Sequence, residues 1–88
     1  MYNYLVEFLG TAFFVYVILA TGNPIAIGAA LALIIIITTR ISGGHINPVV
    51  SIVMVSAGKL DVKELIPYCI AQIFGGLTAL EIYKRVRV

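Results

Sequence analysis

Eighty-eight residues carrying a net charge of +2 are too few for more than one domain and too weakly basic to indicate a nucleic-acid partner. With 61% hydrophobic and 11% charged residues, the chain lacks the polar surface that a small soluble domain needs. Its long apolar stretches instead match a bilayer core about 30 Å thick. The sequence therefore predicts an all-α integral membrane protein in contact with the lipid bilayer.

Two apolar helices open the chain. The first is predicted over residues 4–21 and contains one charged side chain, Glu7. No Lys or Arg precedes Glu7, so we expect this helix to be retained rather than cleaved as a signal peptide. A Gly-Asn-Pro turn at 22–24 leads into a second helix over residues 25–39. At about 15 residues, that helix is near the lower limit for crossing a bilayer.

The third segment, residues 42–57, differs from the others. A glycine-rich loop enters an apolar helix over residues 49–57, which is too short to cross a bilayer. Irregular backbone at membrane depth must be covered by protein or must line a water-filled cavity. The segment is therefore predicted to be a re-entrant loop and half-helix, and the working unit to be larger than one chain.

A last helix is predicted over residues 62–83, ending in the cationic stretch 84–87 that would anchor it at the membrane interface. The whole chain, 1–88, is thus predicted as one domain of three transmembrane helices plus one re-entrant half-helix. Its single cysteine, Cys69, permits no internal disulfide.

The pair Asn47-Pro48 carries the chemistry of the loop. Asn is a favoured N-cap and Pro suits the first helical position, so the half-helix should begin here, with free N–H groups and a positive dipole end at the bilayer centre. The Asn47 amide adds donors, and the carbonyls of Gly43, Gly44 and His45 offer acceptors. Water or a small polyol could exchange hydrogen bonds along this line, whereas a cation would meet an unfavourable field.

The motifs resemble those of the aquaporin (major intrinsic protein) family, including aquaglyceroporins. The loop SGGHINPVVS at 42–51 is similar to the family's SGxHxNPAVT, with Val49 in place of the usual Ala. EFLGT at 7–11 is similar to the first-helix signature, and YCIAQIFGG at 68–76 to the third-helix signature. The family builds its pore from two inverted halves, and this chain resembles one half-repeat, the first.

The resemblance implies roles for individual residues. Asn47 would be the pore asparagine, with Pro48 and Val49 completing the start of the half-helix. Loop support would come from a small set of polar side chains: Glu7, Thr11, His45 and Gln72. For Gln72, a solitary interhelical hydrogen bond is an equal alternative.

Family spacing also implies the composition of each pore mouth. It would combine Ile27 of one half with Ile35, Gly44 and Val50 of the other. Val50 occupies the position where the second half of the family carries its filter arginine, so that charge is absent. An apolar mouth favours glycerol-like or other uncharged solutes, or it dewets and closes.

The Lys and Arg residues are balanced between the two membrane sides implied by chain direction. Three lie on each side: Arg40, Lys59 and Lys63 against Lys84, Arg85 and Arg87. The positive-inside rule orients a protein by an excess on one side, and this chain has none. The sequence therefore predicts dual topology and a pore formed by an antiparallel homodimer, which could assemble further into four pores.

Two other hypotheses remain open. The chain could pair with a different half that supplies the arginine, or it could be a non-conducting membrane scaffold. An enzyme is not predicted, because no nucleophile or metal-ligand constellation accompanies His45, and neither a cofactor nor a metal is expected.

Overall fold

The structure is a computed structural model that describes residues 2–86, and helices are the regular elements of this part of the chain. In chain order they are α1 (Asn3–Thr21), α2 (Pro24–Thr38), α3 (Pro48–Ser56) and α4 (Leu65–Val86), with a 3-10 turn at Val62–Glu64 before α4. The last helix continues to Val86, beyond the predicted end at residue 83. Arg87, one of the predicted tail cations, lies outside the described residues.

Two stretches, Asn3–Thr21 and Val62–Val86, are long and apolar enough to cross a membrane. The 15-residue α2 is apolar but shorter, with a length of about 22 Å at 1.5 Å per residue. The nine-residue α3 reaches only about 14 Å on the same basis, roughly half of a bilayer core.

Asn-Pro pairs start both shorter helices. Asn23 is the N-cap of α2, and its Oδ1 accepts from the N–H groups of Ile25 at 2.8 Å and Ala26 at 3.1 Å. The Ile27 N–H bonds to the Asn23 carbonyl at 2.9 Å, and Pro24 has no N–H to satisfy. The first turn of α2 therefore has all its donors paired, which suits a helix end at a membrane surface or inside it.

Helices α1 and α4 run parallel and pack closely. Near their starts the rings of Tyr4 and Tyr68 meet edge to face at 5.9 Å, and near their ends those of Tyr16 and Tyr83 do so at 6.5 Å. Between these pairs, a Cβ placed on Gly75 would lie 2.5 Å from the Phe8 carbonyl oxygen. The absence of a side chain at Gly75 thus sets the distance between the two helices.

Small residues four apart do not have the same role throughout the chain. Ala71, Gly75 and Ala79 are buried at the α1–α4 contact. Gly28 and Ala32 have the same spacing and predict a second close crossing, but both are exposed, and a Cβ on Gly28 would meet nothing within 4 Å. Within one chain α2 contacts α1 through another face that includes Ala30 and Ile34, so the crossing at Gly28 stays a prediction.

The Gly75 contact gives a test of the packing. We expect Gly75→Ala to lower the free energy of unfolding by about 1–3 kcal/mol, because the added methyl would overlap a backbone carbonyl that cannot rotate away. The matched control is Gly76→Ala, whose methyl would lie 3.6 Å from Val15, an ordinary contact. Unfolding in detergent by circular dichroism measures both variants, and equal midpoints would contradict the close crossing.

Candidate functional site

The buried carboxylate of Glu7 fastens the loop to the helices. Its Oε2 accepts from the Ser42 hydroxyl at 2.6 Å and the His45 N–H at 3.1 Å. Its Oε1 accepts from the Ile46 N–H at 2.8 Å and from Gln72 Nε2 at 2.8 Å. Four donors converge on two oxygens, an arrangement that suits the ionised, acceptor-only form of the side chain.

No basic side chain compensates this carboxylate among residues 2–86, where the ion pairs are those of Glu81 with Lys84 and Arg85. Glu7 is fully buried, and an ion removed from water without partners is very costly. The four hydrogen-bond donors therefore replace a counter-ion. A charge satisfied mainly by loop groups is stable only while the loop keeps its shape.

A second layer of hydrogen bonds fixes the start of α3. Gln72 Nε2 also donates to Ser51 Oγ at 2.9 Å, so both of its hydrogens are used. Ser51 Oγ lies 2.9 Å from His45 Nδ1, to which the hydroxyl can donate its own hydrogen. The His45 ring and the Gln72 amide therefore meet at one serine hydroxyl. Tyr68 closes the layer by donating to the Ser42 carbonyl at 2.8 Å.

The loop backbone has a positive φ at Ile46, a conformation that isoleucine rarely adopts. Gly43 and Gly44 have φ of 92° and 66°, which glycine tolerates, but Ile46 also has φ of 60°. A β-branched residue in this region costs about 1–3 kcal/mol and persists only where the surroundings impose it. Here the Ile46 N–H donates to the Glu7 carboxylate. The Ile46 side chain packs against Gly10, where an added Cβ would lie 2.7 Å from the Ile46 Cδ1.

Thr11, predicted to support the loop, is buried, and its hydroxyl donates to the Ile46 carbonyl over a long 3.4 Å. It is the ninth of the 19 residues of α1, so this contact marks the middle of a helix long enough to cross a membrane. The loop therefore reaches the level of the middle of α1, beside Thr11 and Gln72, before α3 begins.

We use "the α3 tip" for residues 47–50. Asn47 is the N-cap, and its Oδ1 accepts from the Val49 N–H at 2.8 Å, while Pro48 has no N–H. The Ser51 N–H bonds to the Asn47 carbonyl at 3.1 Å. The N–H groups of Asn47 and Val50 have no hydrogen-bond partner among residues 2–86. The tip therefore presents two unpaired backbone donors together with the exposed Asn47 amide NH₂, in line with the predicted free N–H groups.

Of the residues assigned to the pore mouth, Ile35 and Gly44 are brought together. A Cβ on Gly44 would lie 3.5 Å from the Ile35 Cα. Ile27 lies two turns earlier on α2, about 12 Å away along the helix axis. Val50 is half-buried in the first turn of α3. Within one chain these four residues therefore form separate groups rather than one ring.

Three polar residues of the site were not predicted as support: Ser42, Ser51 and Tyr68. Ser51 follows Asn47 by four residues, and Tyr68 precedes Gln72 by four, so each shares a helix face with a predicted residue. That spacing was the available signal. Ser42 is the first residue of the loop motif at 42–51, and that match was its signal.

The sequence model of the family described as Major intrinsic protein matches residues 1–88, and the chain belongs to this family. It is an integral membrane protein.

Individual relatives are similar over most of the chain. A "Glycerol uptake facilitator protein-like 6" of Lactiplantibacillus plantarum is 41% identical over 90% of this chain and 41% of its own length. An "Aquaporin-8" of Notomys alexis is 41% identical over 92% of the chain and 35% of its own length. An "Aquaporin Z" of Brucella melitensis is 40% identical over 86% of the chain and 40% of its own length. The chain thus spans about two fifths of these relatives, and no solved structure matches it.

The Glu7 hydrogen bonds generate a second test. We expect Glu7→Leu to destabilise the protein strongly, because each buried N–H left without an acceptor costs about 1–3 kcal/mol. The stability of Glu7→Gln should lie between that of Glu7→Leu and that of the wild type. Its amide oxygen still accepts hydrogen bonds, while its NH₂ group faces other donors. Unfolding midpoints in detergent measure the order of stability of the three proteins. Glu81→Gln, at an exposed position, is the control for loss of a carboxylate. A Leu variant as stable as wild type would contradict a supporting role for Glu7.

Proposed function

We propose that this chain is a subunit of a membrane channel for passive flow of water and small uncharged solutes of the glycerol type. One observation carries the proposal: the α3 tip, with the exposed Asn47 amide and the unpaired N–H groups of Asn47 and Val50, is held level with the middle of α1 by the buried Glu7 carboxylate. Donors at that depth can replace hydrogen bonds that a neutral solute loses on leaving water, while the helix N-terminus disfavours cations.

In this proposal α1, α2 and α4 span the membrane, while residues 42–57 enter and leave on one side. The short α2 can span because its apolar length is extended by the capped turn before it and by Arg40 after it, whose long side chain can reach the interface. The polar tip cannot face lipid, since unsatisfied backbone groups in hydrocarbon cost several kcal/mol each. A second half must therefore cover it.

We further propose that the second half is another copy in inverted orientation, giving an antiparallel dimer as the unit of conduction. The balance of Lys and Arg supports this, because neither orientation is favoured. The parallel course of α1 and α4 places both N-terminal ends on one side and both C-terminal ends on the other. The inverted pair would bring Ile27 of one copy towards Ile35, Gly44 and Val50 of its partner.

The proposed mouth is apolar, and this sets the selectivity. Ile27 and Val50 are half-buried, and Ile35 is 38% exposed. Without a fixed positive charge, the barrier for water comes from dewetting, while a polyol can lay its CH groups against the isoleucines. We therefore infer permeation by solutes of the glycerol class, modest water permeation and no ion current. The names of the similar proteins include both a glycerol facilitator and aquaporins.

Orientation is the first test of this proposal. Tags on the C-terminus should be found on both sides of the membrane, because the chain has no excess of Lys and Arg on either side. Thr21→Lys with Ile25→Lys, both at exposed positions, should fix the turn on the cytoplasmic side and abolish flux. Thr21→Gln with Ile25→Gln is the uncharged control.

Rescue distinguishes loss of pairing from misfolding. Co-expression with Lys84→Gln, Arg85→Gln, which has the opposite bias, should restore flux to the lysine variant. If the unmodified chain inserts in one orientation only, the antiparallel homodimer is wrong and a different second half takes its place.

Flux is the second test. Liposomes containing only this chain should swell in a glycerol gradient faster than empty liposomes, with a smaller gain in water permeability. Val50→Arg should depress glycerol flux by narrowing the mouth, and Val50→Leu controls for side-chain size. Asn47→Asp should weaken cation exclusion by placing a negative charge at the tip. Rapid water flow without glycerol flow would contradict the selectivity argument, and liposomes as tight as empty ones would favour the scaffold hypothesis.

A further inference from the structure

A charged cluster near the end of α4 lies outside the site described above. The Glu81 carboxylate accepts from Arg85 Nη1 at 2.8 Å, and its other oxygen lies 3.5 Å from Lys84 Nζ. The three side chains are more than half exposed. Two cations and one carboxylate leave this group, which we call the α4 charge cluster, with a net charge of +1.

The cluster lies beside an apolar part of α1. The rings of Tyr16 and Tyr83 meet at 6.5 Å, so these two residues are level with each other. Beyond Tyr16, α1 continues for five residues to Thr21, about 7.5 Å at 1.5 Å per residue. Residues 17–20 are Val, Ile, Leu and Ala. The charges of residues 81–85 therefore begin below the polar turn at 22–23 that ends α1.

A net charge at this level needs a further partner. Charged side chains beside the apolar part of a membrane helix are costly, and they pair with one another or reach towards the interface. Arg85 is held in place, because it donates to both the carbonyl and the carboxylate of Glu81. One unit of positive charge remains after that pairing, and an anion that extends down beside α1 would compensate it.

Arg85 also has donors left for such an anion. Both of its hydrogen bonds come from Nη1, at 3.0 Å and 2.8 Å. A guanidinium has five N–H groups, and those of Nε and Nη2 have no acceptor among residues 2–86. Two neighbouring N–H groups on one edge are the arrangement that binds a phosphate through two hydrogen bonds. Lys84 adds a second charge next to this edge.

An apolar groove continues from the cluster along α4. It has a volume of about 410 Å³ and is lined by Phe74, Leu77, Thr78, Glu81, Ile82 and Arg85. The three large apolar side chains of this lining are exposed. Phe74 and Arg85 are eleven residues apart, about 16 Å along the helix. That length is about half of a bilayer core, the part occupied by the chains of one leaflet.

We infer that the α4 charge cluster and this groove bind one anionic phospholipid. Its phosphate lies on the Nε–Nη2 edge of Arg85 and beside Lys84, and an acyl chain lies along Ile82, Leu77 and Phe74. A free phosphate ion would leave the groove empty, and a zwitterionic headgroup brings a cation of its own to a cluster that is already positive. The inference goes beyond the proposed channel and is independent of conduction, since every residue of the site belongs to α4 of one chain.

Tryptophan fluorescence tests the lipid site. The chain has no Trp, so Ile82→Trp places a single fluorophore in the groove. The variant is reconstituted in symmetric vesicles of phosphatidylglycerol and phosphatidylcholine in which one lipid at a time carries brominated acyl chains, which quench Trp on contact. We expect phosphatidylglycerol to be preferred about fivefold, the ratio for one basic charge at an anionic headgroup. Symmetric vesicles give the same result for either orientation of the chain.

Charge variants in the Ile82→Trp background assign the preference to the cluster. Lys84→Gln with Arg85→Gln should lower the preference to one or below, because only the carboxylate remains. Glu81→Gln should raise it above the parent value, because the net charge becomes +2. An increase of this kind cannot come from a loss of structure.

Matched controls separate the site from general attraction. Lys59→Gln with Lys63→Gln removes two charges before α4 begins and should leave the preference at Ile82→Trp unchanged. Leu33→Trp lies on α2, outside the groove, and is similarly exposed, at 51% against 46%. This probe should show no preference between the two lipids.

Four results would overturn the inference. One is equal quenching by the two lipids at Ile82→Trp, and a second is an equal preference at Leu33→Trp. A third is a preference that the substitutions at 81, 84 and 85 leave unchanged. The fourth is a preference lost on adding inorganic phosphate but kept in chloride of the same ionic strength, which would assign the cluster to a soluble anion.

Discussion

The buried carboxylate of Glu7 holds the loop between the two long helices. Its two oxygens join α1 to the loop through Ser42, His45 and Ile46, and to α4 through Gln72. Removing it would leave several buried donors without an acceptor and the strained Ile46 without its main restraint. The position of the α3 tip is therefore a consequence of one charge placed in the first helix.

That position determines what the tip can do. Because Asn47 caps its own helix through Oδ1, its NH₂ group turns away from the backbone and stays available. Among residues 2–86 the N–H groups of Asn47 and Val50 are also unpaired, so the donors of the tip come from this side chain and from the backbone beside it. Selectivity in the proposed channel thus rests on Asn47 and on the apolar groups around it, rather than on a fixed positive charge.

Much of this arrangement could be predicted from local sequence. Asn-Pro pairs give helix starts at Pro24 and Pro48, because cap and first-turn preferences are local. The family motifs pointed to Glu7 and Gln72 as residues near the loop. The positive φ of Ile46 could not be predicted, since isoleucine disfavours it and only contacts with Glu7 and Gly10 impose it. Similarly, the opposite environments of Gly28 and Gly75 arise from packing between helices, which identical spacing does not reveal.

Amide hydrogen exchange at His45 and Ile46, followed by NMR in detergent micelles, tests the central claim most directly. Both N–H groups lie in a loop, where exchange is ordinarily fast, yet both bond to a buried carboxylate. If Glu7 holds the loop, both N–H groups are protected as well as the core of α1, and this protection is lost in Glu7→Leu while the middle of α1 stays protected. Exchange as fast as at the exposed Asn23 in the wild-type protein would show that Glu7 does not hold the loop.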